Sequence, residues 1–158
     1  MRPLAKLHDA TSRGLFLLAG GALAAAVCLY VFEVVARYLF DAPTTWSGEA
    51  VQYALAVMIF AGLPEITRRK AHVAIDMVPE ALTGRAALWL GRINLAVAAA
   101  ACGLAGAIVA REAAKQFERG LMTNAAHPIP RWWITALIAA GLLSAALHMA
   151  RQAQEARK

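Results

Sequence analysis

The chain has 158 residues, 60% of them hydrophobic, and a mean hydropathy of +0.53; soluble domains carry about 45–50% apolar residues, so a multi-pass membrane protein is expected and a soluble one is excluded. A net charge of +6 would suggest nucleic acid in a soluble domain, but in a membrane chain the placement of cations between apolar runs sets orientation instead, and no nucleic-acid partner is expected. Two cysteines without a CxxC pair disfavour a membrane thiol oxidoreductase.

Four runs without a charged residue follow one another, at 14–32, 50–64, 93–110 and 132–150. Three are close to the roughly 20 residues that cross a hydrocarbon core, and the second reaches that length when Glu49 and Glu65 stand at its two interfaces. The expected fold is an all-α integral membrane protein of one domain, with four transmembrane helices near 14–36, 47–66, 87–110 and 131–150. A hairpin at 67–86 joins the second and third, and a longer segment at 111–130 joins the third and fourth.

Arg2, Lys6 and Arg13 ahead of the first run imitate a secretory signal. That run exceeds an h-region of about 7–15 residues and continues into Glu33 and Arg37 without a small-x-small cleavage site, so it reads as a retained first helix. Residues 2–13, with Leu4 and Leu7 on one side, predict a short interfacial helix. Helix 1 is rich in small residues (Ala19, Gly20, Gly21, Ala22, Ala24, Ala25, Ala26), and helix 3 repeats the theme with Gly103 and Gly106. Lipid is as apolar as leucine, so helices in a bilayer associate by close packing, which small residues permit. Cys28 and Cys102 lie in these two helices and could pair only if the helices touch.

Glu33 and Arg37 are four apart and share a helix face, and Glu65 and Arg69 repeat the spacing at the other end of helix 2. Trp46, Trp89, Trp132 and Trp133 stand at helix starts as interfacial aromatics do, with Arg131 and Arg151 bracketing helix 4 and Arg92 able to snorkel. Arg68, Arg69 and Lys70 precede His72 and Asp76, whose spacing suits a structural tie, a proton relay or a metal pair. Residues 111–119 continue helix 3 as a charged helix ending at Gly120, a plausible C-terminal cap, available for contact or simply solvated. Residues 121–130, with Asn124, Pro128 and Pro130, predict an extended connection.

Lys and Arg number eleven over the two terminal segments and the stretch from Arg68 to Arg92, and five over the other two connections. The positive-inside rule therefore puts both termini and the hairpin in the cytoplasm. Around the span centres, near Ala24, Val57, Ala101 and Gly141, no ionisable residue falls within about two turns, and no internal repeat relates the halves. A self-contained substrate path is not expected. His8, His72, His127 and His148 are scattered and only His148 lies in a span, so neither bis-histidine haem ligation nor a metal constellation is expected, and the chain is not expected to be an enzyme.

Arg37-Tyr38-Leu39-Phe40, Trp46-Ser47-Gly48-Glu49, Gly62, the series from Arg68 through His72 to Asp76, and Ile129-Pro130-Arg131-Trp132 together resemble the small membrane subunit of tripartite ATP-independent periplasmic (TRAP) transporters, the DctQ-like family. The resemblance spans nearly the whole chain. One departure is Gly48, where the family often has an acid before Glu49. The resemblance implies a cofactor-free scaffold in the bacterial inner membrane that binds a large DctM-like membrane subunit carrying the substrate and sodium sites. A periplasmic binding protein would deliver an organic acid, such as a C4-dicarboxylate or sialic acid.

On that basis Arg37, Trp46, Glu49, Arg68, His72, Asp76, Lys115, Arg119, Arg131 and Trp132 are candidate subunit or binding-protein contacts. Arg69, Lys70, Trp89, Arg92, Trp133 and Arg151 are candidate phospholipid or interface anchors. The 67–86 hairpin becomes an anchoring and subunit-positioning element. The rival from another class is a self-sufficient homodimeric exporter; such proteins use an acid well inside helix 1, whereas Glu33 lies near its end beside Arg37.

Overall fold

The computed structural model describes residues 2–69, 85–125 and 127–155. It contains four helices, α1 (Arg2–Leu39), α2 (Ser47–Arg68), α3 (Arg85–Glu118) and α4 (Arg131–Glu155). Each is long and apolar enough to cross a membrane. Lys70, His72, Asp76 and most of the expected 67–86 hairpin lie outside the described residues.

The helices are longer than the apolar runs that revealed them. The expected interfacial helix at 2–13 is not a separate element: α1 runs unbroken from Arg2, because nothing between Arg13 and the first span terminates a helix except Gly14, and one glycine is insufficient. α3 carries the anticipated extension beyond the apolar run to Glu118. Its end is a Schellman turn: Gly120, at φ +59, donates its N–H to Phe117 O at 3.1 Å, while Leu121 N donates to Gln116 O at 3.1 Å.

Packing runs from α1 to α2, from α2 to α4 and from α4 to α3; among the described residues α1 and α3 do not pack together. Both cysteines are accordingly free. The outer helices each turn one narrow seam inward. On α1 it comprises Ala5, His8, Ser12, Leu15, Ala19, Ala22, Ala26, Leu29, Glu33 and Ala36; on α3, Arg92, Leu95, Ala99, Cys102, Gly106, Val109, Ala113 and Gln116. Alternating steps of three and four keep such a seam on one side of a slightly supercoiled helix. The small-residue expectation therefore holds only in part, since Gly20, Gly21, Ala24 and Ala25 fall outside the seam and are exposed.

Where glycines do enter an interface, they set the helix separation. A Cβ on Gly62 would lie 3.5 Å from Ala19 Cβ, one on Gly106 2.8 Å from Leu143 Cγ, and one on Gly141 only 2.3 Å from Phe60 O. The last contact follows from Pro64, buried within α2. Proline has no N–H, so the Phe60 carbonyl four residues earlier loses its helical donor. The smallest side of α4 meets that freed oxygen.

The expected extended connection at 121–130 is instead a closed loop. Met122 and Pro130 form an antiparallel bridge. Thr123 N donates to Ile129 O at 2.8 Å, Ile129 N donates back to Thr123 Oγ1 at 2.9 Å, and Arg131 N donates to Leu121 O at 3.0 Å. The two prolines keep the strand-like ends short, and Thr123 supplies both acceptor and donor across the mouth of the loop.

Candidate interface surfaces and anchoring clusters

Ion pairs and polar side-chain contacts gather near the helix ends. On the side where α1 begins and α4 ends, Glu65 is fully buried at the C-terminal end of α2. Arg68 grips it with two hydrogen bonds of 2.6 Å, from Nε to Oε2 and from Nη2 to Oε1, and Arg69 Nε adds a third at 2.7 Å. A buried carboxylate is costly unless its lone pairs are filled, and two guanidinium forks fill them. The Arg69 guanidinium also lies 5.3 Å from the ring centre of Phe16 on α1. From α4, Gln152 Nε2 donates to Thr67 O at 2.8 Å, tying the end of α2 to α4.

On the same side α1 meets α4 through side chains alone. His8 Nε2 lies 2.8 Å from Ser144 Oγ, His148 Nε2 lies 2.9 Å from Ser12 Oγ, and Arg151 Nη1 donates to Asp9 Oδ1 at 3.0 Å. The two imidazoles stack with centroids 4.1 Å apart. Sequence reasoning missed this group, because His8 and His148 stand at opposite ends of the chain and no local spacing joins them. The one local signal was the pattern His8, Asp9, Ser12, which sets three polar side chains within one helical turn.

At the opposite side Glu33 clasps α1 to the start of α2. Its Oε1 accepts from Arg37 Nη2 at 2.6 Å, and its Oε2 accepts from Ser47 Oγ at 2.7 Å, from Thr44 N at 3.2 Å and from the Thr44 hydroxyl. The spacing of Glu33 and Arg37 foretold the pair; the Thr44 and Ser47 contacts needed the turn at 40–46, where Asp41 takes φ 48. Trp46 follows, with its ring 6.2 Å from that of Phe32.

Trp46 at the N-cap of α2, Glu49, Ala50 and Tyr53 from its first turns, and His127 and Ile129 from the closed loop line a largely apolar cleft of about 380 Å³. Two sequence candidates, Trp46 and Glu49, thus come together with the 121–130 loop. Lys115 belongs to a separate groove between α3 and α4, with Arg111, Glu112 and Thr135, while Arg119 and Arg131 are exposed apart from both. Gln116, buried beneath the charged face of the α3 extension, accepts from Thr135 Oγ1 at 2.8 Å. Phe117 meets Trp132 edge to face at 5.3 Å. The extension is therefore docked on α4, with one face free.

Of the expected anchors, Arg69 and Arg151 are engaged in ion pairs, as is the candidate contact Arg68. Arg92 lies with its guanidinium 5.5 Å from the Trp89 ring centre, while Trp89 and Trp133 are 61% and 55% exposed. No individually curated protein matches the chain. Residues 26–158, which include the Glu33 clasp, the Trp46 cleft and the Glu65 cluster, match the family described as Tripartite ATP-independent periplasmic transporters, DctQ component, and the chain belongs to that family.

Proposed function

We propose that this small TRAP transporter subunit scaffolds a large DctM-like membrane subunit during sodium-driven uptake of an organic acid delivered by a periplasmic binding protein. The observation that carries the proposal is the pair of unpartnered outer faces. α1 exposes Leu17, Leu23, Val27 and Val31 and α3 exposes Ile93, Val97, Leu104 and Ile108, all outside their inward seams. Such faces suit lipid or a second membrane protein, and Gly20 and Gly21 on α1 would admit a partner helix at close range.

Three further points support the reading. Polar contacts cluster toward the ends of the described helices, as in a subunit that borrows its substrate path from another chain. The excess of cations favours cytoplasmic termini in the bacterial inner membrane, which puts the Trp46 cleft, Lys115 and Arg119 on the periplasmic side, available to a docking protein. Glu33, the acid that a self-sufficient exporter would need, is occupied by Arg37, Thr44 and Ser47.

The test is a mild-detergent pull-down of the chain, tagged at Lys158, from its native membranes. Recovery with a large multi-spanning protein in roughly equal amount, and sodium-dependent organic-acid uptake after reconstitution with it and the binding protein, is the expected result. Recovery only as a self-associated dimer across several detergents would overturn the proposal.

A further inference from the structure

We propose that His8, Asp9 and His148 form a binding site for a divalent metal ion of the zinc class, which staples the start of α1 to the end of α4. One ligand atom from each residue lies within 4.8 Å of the others. Two imidazole nitrogens and one carboxylate are a donor set that zinc and its late first-row neighbours prefer, with water as the fourth ligand.

The hydrogen bonds around the cluster prepare it for that role. Ser12 spends its single hydroxyl proton on the backbone carbonyl of His8, at 3.0 Å. It must therefore accept, rather than donate, in its contact with His148 Nε2. That fixes the proton of a neutral His148 on Nε2 and leaves the lone pair on Nδ1. His8 Nε2 lies against Ser144 Oγ at 2.8 Å. Its Nδ1 is buried and has no hydrogen-bond partner, an arrangement that a bound ligand would relieve. Metal-bound histidines characteristically have the second ring nitrogen fixed by a polar neighbour, and here a serine serves each ring. Arg151 holds Asp9 through Oδ1, leaving Oδ2 for the ion.

Geometry sets one requirement. A tetrahedral ion with ligands at about 2.0–2.2 Å spaces them about 3.3–3.5 Å apart, so the cluster must contract by roughly 1.5 Å at its widest. The rings are 25° from parallel and must open widely, giving up their stacking, for both lone pairs to converge on one ion. The benefit falls where the fold is thin, because α1 and α4 have no close backbone packing and meet here through side chains.

The test uses the whole chain, purified without a histidine tag and stripped with chelator, then titrated with Zn²⁺ by calorimetry and with Co²⁺ by visible absorption. One equivalent should bind, Co²⁺ should show the intense ligand-field bands of a tetrahedral site, and Zn²⁺ should raise the Tm. His8→Ala and His148→Ala should abolish all three responses. Ser12→Ala should weaken binding by about tenfold or more. Asp9→Asn, which keeps the side-chain shape, repeats the test where a histidine variant does not purify. No saturable binding by the unaltered chain, or equal binding by the His8→Ala and His148→Ala variants, would overturn the proposal.

Discussion

In α2 and α4, 28% of the most apolar window of each helix is buried within the chain, whereas α1 and α3 bury 11% and 6%. The inner helices have neighbours on two sides and the outer ones on a single seam. In water the outer helices would be aggregation hazards; in a bilayer their leucines meet a solvent as apolar as themselves, so burial alone gives no reason to associate. Close fit decides which helices stay together. The inner pair has a fit that leaves no room for one extra carbon at Gly141, while the outer face of α1 has open space at Gly20 and Gly21. The inner pair is thus built to hold this chain together, and the outer faces are left for lipid or another protein.

The contrast breaks most severely at Gly141. Gly141→Val drives a branched side chain against the Phe60 carbonyl, which is backbone and cannot rotate away. Overpacking of this kind costs about 1–3 kcal/mol, and the rigid obstacle puts this variant at the upper end. The expected result is a Tm lowered by several degrees in detergent and a loss of monodisperse protein on size exclusion. Gly106→Ala tests the α3–α4 seam. Its obstacle is mainly the Leu143 side chain, 42% exposed and able to swing outward, although Leu143 N at 3.2 Å limits the relief. A loss of about 1 kcal/mol, measured in the same assay, is expected. Equal damage at the two positions would break the distinction between rigid inner and yielding outer contacts.

Much of this was legible in the sequence, and the division is physical. Membrane spans depend on local hydropathy, so all four helices could be read from apolar runs, and Glu33 with Arg37 or Glu65 with Arg69 could be paired because helical spacing is local as well. Gly120 announced its cap for the same reason. Contacts between distant segments were hidden. Nothing near Phe60 shows that its freed carbonyl meets Gly141, and nothing near His8 shows that it stacks on His148. The inward seam of α1 lay between these cases: its heptad spacing through Ser12, Ala19 and Ala26 is in the sequence, but the abundance of alanine on every side of the helix obscured it. Among the interface candidates, Trp46 and Glu49 converged with the 121–130 loop, whereas Lys115 joined a different groove, because the docking of the α3 extension on α4 depends on Gln116 and Thr135.

The smallest effect on the isolated chain sharpens the comparison furthest. Gly21→Leu adds a large side chain to α1 where nothing lies within 4 Å, and it replaces the poorest ordinary helix former with one of the best. The purified chain should therefore keep its Tm or gain slightly, by up to about 1 kcal/mol. In native membranes the outcome depends on what covers that face. Lipid would accommodate the leucine, but a closely packed partner helix would be pushed away, since small residues at helix interfaces are what allow close approach. Coexpression with the proposed large subunit and pull-down at equal expression should then recover much less partner with Gly21→Leu than with the unaltered chain. A variant substituted instead on α3, Ala100→Leu on an exposed position outside its seam, distinguishes the two outer faces: loss of partner with only one of them identifies the face that is covered. Full recovery with both would assign the two faces to lipid and return the search for the subunit contact to the helix ends.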